Sequence, residues 1–122
     1  MRRIPPPVLS GGRGAVWVLV VFWMAGTAWA SLSQGISSPP GTDVWIHALA
    51  YGALTLLLHW GFRQRGSSRN PVPAAAVAWG YGVLMEGAQA LVPHRAAEVR
   101  DLIANTAGVV VAMAIAAVVQ TR

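Results

Sequence analysis

Four apolar blocks, separated by connectors that carry nearly all the charge, decide what this chain can fold into. They cover residues 15–32, 44–62, 72–92 and 102–119 and run 18 to 21 residues each. A helix needs about 20 residues to cross a hydrocarbon core roughly 30 Å thick. Only helices and closed barrels satisfy every backbone polar group in lipid, and blocks of this length read as helices. A water-soluble reading fails on charge, because charged residues make up 11% of the chain against about 25% in soluble domains. The pattern predicts an all-α fold, an integral-membrane four-helix bundle. Residues 1–14, with Pro5-Pro6-Pro7 and Gly11-Gly12, read as a flexible tail. Residues 15–122 read as a single membrane domain.

The basic residues set the orientation. Arg2, Arg3 and Arg13 precede the first block, Arg63, Arg65 and Arg69 lie between the second and third, and Arg122 follows the fourth. Only Arg95 and Arg100 lie between the third and fourth. The positive-inside rule therefore predicts both termini and the middle connector in the cytoplasm of a multi-pass cell-membrane protein. A net charge of +5 would invite a nucleic-acid reading if the cations lined one soluble face. They are spread over connectors instead, and no nucleic-acid partner is expected. Arg2, Arg3 and Arg13, then the apolar run and Ala28-Trp29-Ala30, also resemble a cleavable signal peptide. Three further spans make a removable signal unnecessary, and the first run is long enough to remain. With no cysteine, neither disulfides nor thiolate metal sites are open to this chain.

Three of the four carboxylates, Asp43, Glu86 and Asp101, lie at or inside the apolar blocks, where an ionisable group costs roughly 2.5–3.5 kcal/mol on insertion scales. Asp43, His47 and Tyr51 recur every four residues and share an arc of the second helix. Glu86 and Gln89 share a face of the third; Asp101, Asn105 and Gly108 share one on the fourth. At about 1.5 Å per residue, His47 lies ~6 Å below Asp43, Asn105 ~6 Å below Asp101 and Glu86 ~9 Å below Val92. Three helices thus bring polar faces to one level in the outer half of the bilayer. Gly80 and Gly87, seven apart, read as a close-packing face of the third helix, with the alanines of 74–78 and 112–117 in the same role.

Taken together, Asp43-x-x-x-His47-x-x-x-Tyr51, Glu86-x-x-Gln89, Pro93-x-Arg95 and Asp101-x-x-x-Asn105-x-x-Gly108 resemble the VanZ-like membrane proteins in order, interval and four-span layout. The family often carries Lys directly after the first Asp, where this chain has Val44. The resemblance implies a place in the cell envelope and, for some members, resistance to glycopeptide antibiotics; it supplies no reaction.

Each polar residue has a plain structural reading beside the functional one. Asp43 fits a helix cap, His47 a satisfied interior histidine, and Tyr51 a buried hydroxyl. Glu86 is the hardest to read as scaffold, since carboxylates at membrane depth are functional by default. Arg95 pairs with Glu86 or Glu98, or meets an anionic head group. No nucleophile elbow, His-Glu-x-x-His helix or P-loop occurs, and no cofactor or metal is expected. Two function classes remain. One is a non-enzymatic protein whose outward pocket of Asp43, His47, Tyr51, Glu86, Gln89, Arg95, Asp101 and Asn105 binds a membrane lipid or lipid-linked cell-wall precursor head group. The other is an intramembrane enzyme with His47 and Glu86 as acid and base. A proton or cation pathway ranks third, because the cytoplasmic half offers little polar relay beyond His59.

Overall fold

Each apolar block folds as a helix, which pairs its backbone groups without help from water. The computed structural model describes residues 10–32, 43–64, 70–92 and 99–120. They form α1 (Ser10–Leu32), α2 (Asp43–Gln64), α3 (Val72–Ala90) and α4 (Val99–Gln120), with no strand among the described residues. α2 opens at Asp43, one residue before its apolar block. α1 opens at Ser10, so backbone assigned to the tail on composition is helical from that residue. Gly11 and Gly12 weaken that turn by up to about 1 kcal/mol each relative to alanine without ending it. Asn70 Oδ1 accepts the Val72 N–H at 3.0 Å and starts α3, with Pro73 in its first turn. The helix closes through Leu91 and Val92 N–H groups donating to Ala88 and Gln89 carbonyls, each at 3.1 Å.

Pairwise contacts fix the directions. Trp17 lies against Gly61 and Phe62 while Trp23 donates to the Ala50 carbonyl, so α1 and α2 are antiparallel. His47 meets Asp101 and Asn105, and Gly52 meets Gly108, so α2 and α4 are parallel. Trp79 donates to Thr106 Oγ1 at 2.9 Å and Gly82 faces both Tyr51 and Asn105, which sets α3 antiparallel to both. α2 is the central element; it packs on all three others and most extensively on α4. The core consists of Val20, Tyr51, Leu54, Leu58, Ala74, Ala75, Ala78 and Val109.

The polarity of the bundle is reversed relative to a soluble one. Val18, Val21 and Phe22 of α1, Trp45 and Leu49 of α2, and Val110, Val111 and Val118 of α4 all point outward. The buried set includes Thr55, His59, Gln89 and Asn105. An apolar exterior around a partly polar interior suits lipid, where burying leucine gains nothing and small residues and polar contacts hold helices together. Among the described residues, three stretches are long and apolar enough to span a membrane: Gly14–Leu32, Val44–Gln64 and Val99–Val119. α3 falls short of that hydropathy because it carries Pro73, Tyr81, Glu86 and Gln89. It nevertheless runs back alongside α2 and α4, and two parallel spans in one chain require a return crossing between them.

The glycines that permit close packing are not the predicted pair. A Cβ at Gly80 or Gly87 would meet nothing within 4 Å, since both lie on the outer side of α3. The seven-residue interval correctly puts them on one face, but that face has no partner helix in the bundle. Gly108 takes the role instead: a methyl there would run into the Ala48 backbone. At Gly52 it would stand 3.1 Å from the Gly108 carbonyl oxygen. The alanine runs do pack, with Ala74, Ala75, Ala78, Ala112 and Ala116 buried.

Candidate functional site

The Gly108–Ala48 contact draws the α2 and α4 backbones together at one end of the bundle, and that closeness lets His47 reach across. His47 donates from Nδ1 to Asn105 Oδ1 at 3.1 Å. Its Nε2 lies 3.6 Å from Asp101 Oδ2, a charge contact longer than a good hydrogen bond. A carbonyl oxygen only accepts, so Nδ1 carries a proton. Nε2 then faces a carboxylate oxygen, and a second proton residing on either atom turns lone-pair repulsion into attraction. Asp101 also sits in the first turn of α4, where its charge complements the helix dipole.

Asn105 is 1% exposed and Tyr51 2% exposed. Both side chains close over Gly82 of α3: a methyl on that glycine would stand 3.1 Å from Asn105 Nδ2 and 3.2 Å from Tyr51 Cε1. Glu86, one turn further along α3, is half-buried and interacts electrostatically with Tyr51. Tyr81 completes that side, its ring centroid 6.2 Å from Tyr51's and its hydroxyl donating to the Met24 carbonyl of α1. His47, Tyr51, Asp101 and Asn105 thus gather at one end of the bundle, with Glu86 one turn beyond Gly82 on α3.

Gln89 belongs to the same end but turns toward α1. Its Nε2 donates to the Ser31 carbonyl at 3.0 Å, and the residue is 5% exposed. Ser31 lies in the last turn of α1, where carbonyls lack an intrahelical partner. Gln89 therefore closes α1 from a neighbouring helix, a role that α3's sequence alone gives no sign of. Arg95, with His94 and Glu98, falls outside the described residues, as does the Asp43 side chain. Among the described residues no three His, Asp or Glu side chains gather as metal ligands. The described cavity, about 510 Å³, lies elsewhere. It is an apolar groove between α1 and α2 lined by Leu19, Phe22, Trp23, Leu56 and Trp60.

Comparison with known families decides what this arrangement belongs to. The VanZ/LLP1 family pattern matches residues 15–120, nearly the whole chain and every helix described above. The chain belongs to the VanZ/LLP1 family. No curated protein and no solved structure matches it. With three membrane-length helices and an apolar exterior, this VanZ/LLP1 chain is a membrane protein. The motif residues that carried the resemblance include those that meet in space: His47, Tyr51, Asp101 and Asn105 form one contiguous cluster, flanked by Glu86. Sequence reasoning missed Gly82, the seat on which Tyr51 and Asn105 rest. It also missed Thr55, fully buried one turn beyond Tyr51 on the same four-residue interval.

Proposed function

We propose that this chain is a bacterial cell-membrane protein whose polar end faces the outer leaflet and binds a lipid or lipid-linked cell-wall precursor head group. The observation that carries the reading is the convergence of His47, Asp101, Asn105 and Tyr51, with Glu86 beside them, at one end of an otherwise lipid-adapted bundle. Polar groups at that depth are costly and mark binding or transfer sites. His47 and Asp101 are only partly covered, their side chains 21% and 13% exposed, so a head group has access. The Arg distribution supports an external polar end. An acid–base role for His47 has less support, because Nδ1 is committed to Asn105 and Nε2 is turned to Asp101. Family membership motivates a further expectation, that the protein changes glycopeptide sensitivity in a host that depends on it.

Native mass spectrometry of the protein extracted with its lipids tests the reading. One envelope lipid species should survive detergent exchange on the wild type and be lost from His47→Gln and Glu86→Gln. Both variants keep hydrogen-bonding capacity while losing the titratable group, so both should express near the wild-type level. Equal lipid retention by all three proteins, or none by the wild type, would assign these residues to the scaffold.

A further inference from the structure

Between residues 43 and 63, every Asp, His, Tyr, Thr and Arg falls on one interval of four: Asp43, His47, Tyr51, Thr55, His59 and Arg63. Between those rungs α2 has only aliphatic residues, glycine, Phe62 and two tryptophans. At about 1.5 Å per residue the series spans ~30 Å, the thickness of a hydrocarbon core. Each step also turns the line about 40° around the helix, which in an isolated helix would carry it out to lipid. In this bundle the middle of the series stays inside, because α2 is packed on three sides. Tyr51 is 2% exposed, Thr55 0% and His59 6%.

From this we infer that α2 carries a proton path joining the polar site to the opposite face of the membrane. Every rung from Asp43 to His59 bears a group that both gives up and takes a proton. Buried series of this kind at membrane depth serve as relays. Head-group binding requires none of the rungs below Tyr51.

The surroundings of each rung are consistent with passage. At the upper end His47 Nε2 lies 3.6 Å from Asp101 Oδ2, with Asn105 on the other ring nitrogen. Around Tyr51 the titratable neighbours are Tyr81 and Glu86 of α3. At the lower end the charged neighbour of His59 is Arg63, exposed on its own helix, and Trp17 of α1 packs one step away on Gly61. Neighbouring rungs are one turn, ~6 Å, apart along the helix axis. Each relay step is balanced: a lone pair takes a proton on one side while the same group releases one on the other, and net charge moves across the bilayer.

Thr55 is the narrow point. Its hydroxyl donates to the Tyr51 carbonyl at 2.8 Å, so passing a proton requires that bond to break and the hydroxyl to swing toward its neighbours. Flux is therefore slow, and the membrane is not short-circuited.

The test is proton entry into liposomes containing the purified protein and an internal pH-sensitive dye, driven by a potassium gradient with valinomycin. Wild-type vesicles should acidify faster than protein-free ones. Thr55→Val, equal in shape but lacking the hydroxyl, should reduce protein-dependent flux about ten-fold or more, and Thr55→Ser should restore it. His59→Gln, which hydrogen-bonds without carrying a proton, should behave like the valine variant and serves if that protein does not fold. Wild-type vesicles no faster than empty ones, or undiminished flux in a folded Thr55→Val or His59→Gln protein, would overturn the proton path. Lipid retention measured on the same variants should be unchanged, which separates this outcome from failure of head-group binding.

Discussion

At the scale of single residues, the polar site depends on Asn105 more than on any charged group. It is almost wholly buried, it is held by His47 from α2, and it rests on Gly82 of α3. Three helices therefore meet on one uncharged side chain. Removing it leaves the part-buried His47 Nδ1 without its acceptor, and a buried polar group stripped of its partner costs about 1–3 kcal/mol. Asn105→Ala should lower the thermal unfolding midpoint in detergent by several degrees. Asp101→Asn should lower it less, since His47 Nδ1 keeps its acceptor on Asn105 and an amide can donate to Nε2. Equal losses from the two variants would shift the weight to the His47–Asp101 contact.

At the scale of helices, the close approach of α2 to α4 is what brings His47 within reach of its partners. Gly108→Ala forces the Ala48 backbone away and should depress folded protein in membranes strongly, whereas Gly87→Ala meets nothing. The latter should be neutral, or stabilising by up to about 1 kcal/mol through helix propensity. Fluorescence-detected size exclusion during heating distinguishes them, and similar behaviour of the two would mean that the α2–α4 contact tolerates a methyl. This contrast also marks how far the sequence was legible. The four helices follow from block length, because lipid leaves no alternative for such runs. The level of His47, Asn105 and Glu86 follows from counting residues inward from the block ends. Which glycine faces a partner does not follow, because spacing fixes a shared face but not the direction in which that face points. Gly80 and Gly87 satisfy the same pattern as a packing face and look outward. The Gln89 contact with α1 is not legible for a related reason: its side chain reaches a backbone carbonyl, and backbone acceptors leave no trace in residue identity.

At the scale of the whole molecule, the parallel α2 and α4 put the N-terminal ends of two helices and the C-terminal ends of the other two at the polar end. Seven arginines precede the first apolar block, lie between the second and third or follow the fourth, against two between the third and fourth. Reporter fusions after Gly66 should therefore report cytoplasm, and fusions after Gly35 the exterior. The reverse result would turn the polar site toward the cytoplasmic leaflet and remove external precursors from its reach. One consequence of the α1 attachment operates at this scale as well. The hydroxyl of Tyr81 and the amide of Gln89 grip α1 by the carbonyls of Met24 and Ser31, and Trp23 in turn grips a carbonyl of α2. A carbonyl looks the same whatever side chain it belongs to. The first helix is thus held in part by its backbone, and its outward residues, Val18, Val21 and Phe22 among them, are free to drift with the thickness and composition of the host membrane while the four-helix arrangement beneath them stays fixed.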